Sequence, residues 1–315
     1  GAGGQIGSEL VPHLRSIYGN NNVVAADISA EKCKVLAEAG PFEELNALDG
    51  EKYTAIVKKY GIDTIFNLVA LLSATGEKNP VLAWNINIGA LTNSLNIAKD
   101  NDCAVFTPSS IGAFSKDTPK DKTPQDTLQR SNTTIYGVCK VTGELLSDYY
   151  FNRFGVDTRS VRFPGLISYV TLPGGGTTDY AVEIYYDAIR RGAFTCNVKA
   201  GTYMDMMYMP DALNAVVQLM EADPSRLKHR NSFNIAAMSF EPGQIAAEIR
   251  KHLPDFKMDY QIDPVKQAIA DSWPNSMDDS CAREEWGWKP EYNLQNMTVD
   301  MLVKVKEKFD KGLIK

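Results

Sequence analysis

The sequence predicts an α/β fold, a doubly wound parallel sheet followed by a smaller C-terminal lobe. Three observations lead there. Strand-like apolar runs alternate with amphipathic helical stretches over residues 1–165, and a parallel sheet covered on both faces requires such near-continuous apolar strands. Gly1, Gly4 and Gly7 give the spacing G-x-x-G-x-x-G ahead of an amphipathic segment at 6–17, so a tight turn delivers the chain to a helix N-terminus. The run Val23-Val24-Ala25-Ala26-Asp27 reads as a strand ending in an acid.

Each element follows in order. The glycine turn lets backbone amides approach a pyrophosphate, which would rest on the helix N-terminus behind it. Asp27, 20 residues past Gly7, is placed to hold a ribose 2′-hydroxyl and to repel a 2′-phosphate, which favours NAD over NADP. Such a fold needs a strand before the turn, and that first strand is expected upstream of Gly1. Residues 63–70 read as a buried strand, 80–99 as a long helix, 103–108 as a strand, 117–132 as a polar loop, 133–154 as a helix and 158–163 as a strand. After Pro164 the strands shorten, loops carry Gly and Pro, and helices are expected at 180–191, 211–221, 242–253, 264–271 and 299–308. Residues 1–165 are assigned to a Rossmann-type NAD-binding domain. Residues 166–315 are assigned mainly to a substrate-binding lobe, with some segments returning to the first domain.

Composition narrows the partners. The net charge of -6 comes with no basic stripe, which argues against nucleic acid and anionic membrane partners. No apolar run is long enough to span a bilayer. The five cysteines are scattered without a C-x-x-C pair and read as reduced intracellular thiols. Cys139 is expected to be a packing residue. His13, His229 and His252 show no ligand spacing and are expected on the surface, so the chain is expected to bind no metal.

Tyr136 and Lys140 carry the chemistry. They lie four apart in a helical stretch, so both point from one face, one turn apart. A free tyrosine titrates near ~10, and a fixed positive charge within about 4–6 Å favours its anion. The pair is expected to form a proton acceptor that works near neutral pH.

Together the glycine turn, Asp27, the serines Ser109-Ser110 that close a strand, and Tyr136-x-x-x-Lys140 resemble the extended short-chain dehydrogenase/reductase superfamily across nearly the whole chain. The resemblance implies that Ser110, with Ser109 as the close alternative, hydrogen-bonds the reacting oxygen. It implies that Asn87 supports a proton relay and that Val161-Arg162-Phe163-Pro164-Gly165 flanks the nicotinamide. Cofactor contacts are implied for Gly1, Gly4, Gln5, Ile6, Asp27, Leu48, Val69, Ala70, Asn87, Tyr136, Lys140 and Pro164.

A narrower resemblance rests on 71–77, on Pro108-Ser109-Ser110-Ile111-Gly112-Ala113-Phe114, on Gly174-Gly175-Gly176-Thr177-Thr178-Asp179-Tyr180-Ala181, on Lys199-Ala200-Gly201-Thr202 and on Ile269-Ala270-Asp271-Ser272-Trp273-Pro274. These segments are similar to the short-chain type of L-threonine 3-dehydrogenases. That family implies oxidation of L-threonine by NAD to L-2-amino-3-oxobutanoate, with Ser73, Ser110, Tyr136, Gly176, Thr177, Thr178, Asp179 and Trp273 around the substrate. Asp179 either meets the substrate ammonium or caps the helix beginning near Tyr180. Trp273 either walls the pocket or packs. Gly174-Gly175-Gly176 is expected to form a flap. The family also implies a homodimer, a separate 2-amino-3-oxobutanoate CoA ligase that consumes the product, and a mitochondrial site in eukaryotes or a cytoplasmic one in bacteria. The dimer is expected to use apolar faces of the helices at 80–99 (Leu82, Ile86, Leu91, Leu95) and 133–154 (Val141, Leu145, Tyr149). Two other readings remain open: an NDP-sugar epimerase or dehydratase of the same superfamily, and a non-catalytic NAD-sensing protein.

Overall fold

The computed structural model describes residues 1–127, 131–172 and 176–314, and the backbone alone at Ala74. The glycine turn opens into α1 (Gly7–Tyr18), which buries Leu10, Val11 and Leu14. There follow β1 (Ala25–Asp27), α2 (Lys34–Ala39), β2 (Phe42–Glu44), α3 (Gly50–Tyr60), β3 (Thr64–Phe66), α4 (Ser73–Lys78), α5 (Pro80–Asn101), β4 (Ala104–Phe106), β5 (Ser109–Ser110), α6 (Ile135–Phe154), β6 (Thr158–Arg159) and β7 (Val161–Phe163). β1 pairs with β2, β3 with β4, β4 with β6 and β5 with β7, all parallel. On one side the amide of Ala2 bonds Ala26 O at 3.0 Å. On the other, Gly1 lies against Leu68, just past β3. Residues 1–2 therefore sit between β1 and β3, giving the doubly wound order β2-β1-(1–2)-β3-β4-β6.

Local chemistry sets the helix ends. Asn79 accepts the amide of Leu82 and Pro80 begins α5, whose preset φ and missing N–H suit a first turn. Thr134 accepts the amide of Gly137 at the start of α6, and Gly155 ends that helix in the left-handed region at φ +74°.

The second half contains β8 (Gly165–Ile167), α7 (Tyr180–Arg191), β9 (Ala193–Cys196), β10 (Met204–Tyr208), α8 (Met209–Glu221), β11 (Phe233–Asn234), β12 (Met238–Phe240), α9 (Pro242–Arg250), β13 (Lys257–Tyr260), α10 (Pro264–Ser272), α11 (Ser280–Trp286) and α12 (Leu294–Asp310). β10 runs parallel to β8 and antiparallel to β12, and β9 is parallel to β13. β11 pairs with β7 of the first sheet system. One core gathers Tyr180, Tyr185, Met204, Met206, Ile245 and Met301. A second joins Leu10, Phe106, Val161 and Phe163 to Val216, Phe233, Trp286 and Trp288. A third, with Leu91, Leu95, Val105 and Tyr150, lies under α5 and α6.

Several boundaries differ from the sequence reading. The strand expected at 63–70 stops at Phe66 because the Asn67 side chain accepts the Val69 amide, a local bond that turns the backbone. The strand expected at 158–163 breaks at Ser160, whose hydroxyl meets that of Ser232. The last helix begins at Leu294, not 299, because Asn293 caps it through the amides of Gln295 and Asn296. Leu91 and Leu95 are 2% and 0% exposed, so they belong to the core and not to a free helix face. Among the described residues no helix is long and apolar enough to cross a membrane.

Candidate active site

The nucleotide end is built by close backbone approach. A Cβ on Gly7 would lie 2.3 Å from Gly1 O and 2.7 Å from Ala2 Cα, and a Cβ on Gly1 would lie 2.8 Å from Leu68 C. Side chains at either position would fill the cradle that backbone must line. The amides of Ser8, Glu9 and Leu10 are taken by Gly4 O and Ile6 O, so the donors that a phosphate would meet are those of the glycine turn ahead of them. Asp27 accepts the amides of Gly3 and Ser29, each at 2.9 Å. Burial opposes its ionisation, and the Ser29 and Gly3 amides favour the charged carboxylate. Leu48 is exposed, and the Leu45 amide bonds Asp27 O at 2.8 Å, which brings the Leu45–Leu48 segment to the same end. The cradle and the acid at the end of β1 fit a dinucleotide.

Tyr136 and Lys140 share a face of α6, with the Lys140 ammonium 5.3 Å from the Tyr136 ring centroid. Lys140 Nζ donates to Pro108 O at 2.5 Å. A Cβ on Gly112 would lie 3.2 Å from Tyr136 Cε1 and 3.4 Å from Ser110 Oγ. The phenol ring and the Ser110 hydroxyl thus converge on the one residue without a side chain. Ser109 points the other way, donating to Glu144, and is buried. A Cβ on Gly137 would collide with Ser131 Oγ and with Gly112 O at 2.5 Å, so α6 can approach this segment only through glycine. Glu77 of α4 accepts the Ile135 amide at 2.7 Å and fixes the start of α6.

Behind the pair lies a cavity of about 40 Å³ lined by Val69, Ala70, Asn87, Thr107, Lys140 and Glu144 among others. Thr107 Oγ1 is buried there without a partner, and the volume suffices for ordered water. Asn87 borders this cavity, but its amide is engaged with the backbone of Leu71, accepting from N at 2.7 Å and donating to O at 3.2 Å. Cys139 is 3% exposed and packs beside Asn87.

Of the expected substrate residues, Ser73 is buried at the start of α4 and Thr177 is 2% exposed. Thr178 packs against Gly165, next to buried Pro164. Asp179 accepts the Gly176 amide at 2.6 Å, a bond that closes the short turn Thr177–Asp179 and is not a side-chain cap on α7. Trp273 follows α10, is 8% exposed, and its carbonyl accepts from Lys120 at 2.7 Å. Gly174 and Gly175 lie outside the described residues.

Sequence reasoning missed the support under the site. Glu144 and Arg162 form a buried ion pair at 3.0 Å, and Arg162 also donates to Gln125 O and Asn234 Oδ1, each at 3.0 Å. A charged residue inside the apolar strand Val161-Arg162-Phe163 was the available signal. Two histidines also depart from expectation. His13 is partly buried and its Nε2 has no partner. His229 is only 23% exposed because α11 brings Glu285 against it and Phe233 meets its ring edge-on.

A glycine-cradle nucleotide fold, with a hydroxyl, a phenol and an amine gathered beside β5 and α6, defines an oxidoreductase of the Rossmann class. The chain belongs to the NAD dependent epimerase/dehydratase family, whose model matches residues 1–236. It is 57% identical over 308 residues to an uncharacterized epimerase/dehydratase of Staphylococcus haemolyticus, covering 98% of this chain and 96% of that protein. Among solved structures, an L-threonine dehydrogenase from Clostridium difficile is 57% identical with a TM-score of 0.96, covering 98% of this chain and 96% of that one. The holo form of a GalE-like L-threonine dehydrogenase from Cupriavidus necator is 47% identical with a TM-score of 0.93, covering 97% and 98%.

Proposed function

We propose that this protein oxidises the side-chain hydroxyl of L-threonine to L-2-amino-3-oxobutanoate with NAD, an early step of threonine breakdown. The observation that carries the reading is the convergence of Tyr136 and Ser110 on Gly112, in a chain whose likeness to L-threonine dehydrogenases spans nearly its whole length. Bound NAD supplies the hydride acceptor. The residues of this chain do the rest. Gly1, Gly4, Gln5 and Ile6 hold the pyrophosphate, Asp27 the adenosine ribose, and Leu48, Val69, Ala70 and Pro164 flank the rings. Ser110 holds the substrate hydroxyl toward the Tyr136 oxygen, which takes its proton. Lys140 puts positive charge beside the ring where the phenolate forms, and its bond to Pro108 O fixes that charge in place. Asn87 positions the loop at Leu71 that borders the cavity, through which water passes the proton outward.

Ser73, Thr177 and Thr178 supply hydroxyls and amides for the substrate carboxylate, Gly176 lines the same subsite, and Trp273 closes the side near the substrate methyl. Asp179 shapes the carboxylate subsite by holding the Gly176 amide. The exposed apolar residues Val81, Leu82, Leu145 and Tyr149 on α5 and α6 form the contact face of a homodimer. The product is consumed by a separate CoA ligase.

The test is NADH formation followed by absorbance with NAD and L-threonine, with L-allo-threonine, L-serine and UDP-glucose in parallel. Threonine-dependent NADH is expected. Turnover of UDP-glucose in its place would move the assignment to a sugar-nucleotide enzyme.

A further inference from the structure

A second cluster of chemistry-bearing side chains lies where β11 meets α11. The ligand atoms of His229, Cys281 and Glu285 lie within 4.8 Å of one another. Glu285 is 6% exposed and already committed. One of its oxygens lies against His229 Nδ1, and the other accepts the amides of Lys228 at 2.6 Å and His229 at 3.2 Å. Phe233 packs on the imidazole with ring centroids 6.0 Å apart. These contacts fix the ring and place a proton on Nδ1, so Nε2 is the atom left to bind. Nε2 faces Asp126 Oδ2 at 3.2 Å and Cys281 Sγ at 4.0 Å.

We propose that His229 Nε2, Cys281 Sγ and Asp126 Oδ2 bind a divalent transition-metal cation of the zinc class, with Glu285 as the outer carboxylate that orients the imidazole. Tetrahedral zinc with ordinary Zn–N, Zn–O and Zn–S bonds sets its ligands roughly 3.3–3.6 Å apart, so the His229–Asp126 separation of 3.2 Å already fits, the His229–Cys281 separation of 4.0 Å needs a few tenths of an ångström of closure, and the exposed Asp126 side chain would swing toward Cys281. A carboxylate on the distal nitrogen is the usual partner of a ligating histidine. The thiol and imidazole select zinc or cobalt over magnesium or calcium, which take oxygen ligands. The proton balance is simple. Cation binding displaces the thiol proton of Cys281 and the Nε2 proton that bridges to Asp126 in the ion-free pair. The dication with one thiolate and one carboxylate is then neutral, and water completes the fourth position. Asp278 and Glu284 add negative charge around Cys281. Asp126 adjoins Gln125, whose carbonyl holds Arg162. The cation would therefore tie the loop containing Gln125 and Asp126 to α11, beside the Arg162–Glu144 pair.

The test is a Co²⁺ titration of the full chain after treatment with a chelator. One equivalent should give a thiolate-to-cobalt absorption band in the near ultraviolet, displaced by Zn²⁺. The band should vanish in Cys281→Ser. Affinity should fall at least tenfold in Asp126→Asn, an exposed position that leaves packing untouched, and by about 10–100-fold in Glu285→Gln. Zn²⁺ at a hundredfold excess over Kd should raise Tm by about 5 °C, and Mg²⁺ should not. Absence of the band, its persistence in Cys281→Ser, full affinity in Asp126→Asn, or an equal Tm rise with Mg²⁺ would overturn the proposal.

Discussion

Glu144 on α6 and Arg162 on β7 form an ion pair at 3.0 Å with side chains only 6% and 7% exposed. Glu144 stands one helical turn beyond Lys140 and also accepts from Ser109. Arg162 reaches outward to Gln125 and Asn234 and stacks over Phe114 at 5.0 Å. The pair therefore joins the helix bearing Tyr136 and Lys140 to the strand that pairs with β5, and it sets how α6 lies over Ser110.

Replacing one partner leaves the other charge buried. Glu144→Gln should destabilise the protein by about 3–5 kcal/mol, since an unpaired buried guanidinium cannot be resolvated. Differential scanning calorimetry should record a Tm lower by roughly 6–10 °C. An unchanged Tm would mean that water already reaches Arg162.

The legible and illegible parts of this fold separate by range. The glycine turn, Asp27 and the Tyr136–Lys140 spacing could be read because each depends on neighbours within about twenty residues, where turn chemistry and helical period act. Helix α7 could be read for the same reason, its apolar face being periodic and its end marked by Gly192 at φ +64°. Strand lengths could not, because Asn67 turns the chain through a side-chain bond and the backbone of Ser160 pairs with the 230–233 segment where the chain changes strand partners, neither of which an apolar run announces. The cluster of His229 with Asp126 and Glu285 was hidden because its members are 103 and 56 residues apart and meet only through tertiary packing.

Adjacent serines should separate function from support. Ser110→Ala removes the hydroxyl beside Tyr136 and should lower kcat by about 10²-fold with little change in Tm. Ser109→Ala removes a donor to Glu144 and should lower Tm while kcat stays within a few fold. If both variants lose kcat equally, the division of roles between the two faces of β5 is wrong.

Tyr136→Phe should lower kcat by about 10²–10⁴-fold, as loss of a general base does. The phosphate cradle and Asp27 lie on other elements, and the phenol oxygen is one of many implied cofactor contacts, so the Kd for NAD, measured by quenching of tryptophan fluorescence, should stay within threefold. A variant that lost NAD affinity in step with kcat would assign Tyr136 to binding.

Two glycines test the cradle. Gly7→Ala places a methyl 2.3 Å from Gly1 O, so backbone must move where phosphate is to sit. NAD affinity should fall at least tenfold, read by isothermal titration calorimetry. At Gly61, φ is +60° and nothing lies within 4 Å. Gly61→Ala should cost roughly 1 kcal/mol of stability from left-handed backbone strain and leave NAD affinity unchanged.

Asp205 on β10 is 2% exposed. Burial pushes its carboxyl up to about 7, against the Met277 amide that donates to it at 2.5 Å, and nearby Asp279 adds to the rise. The sign follows from proton uptake. Between the ordinary value of 3.8 and about 7, the folded protein holds a proton that the unfolded chain has lost. Stability therefore falls as pH rises through that window and levels off above it, with a total on the order of 4 kcal/mol. Asp205→Asn keeps an acceptor for the Met277 amide and removes the charge. The variant should match the wild type within about 1 °C in Tm near pH 3.5, below that window, and exceed it by several degrees at pH 8. Parallel Tm curves across pH 4–9 would show that Asp205 stays ionised in the fold and that the Met277 amide meets a carboxylate.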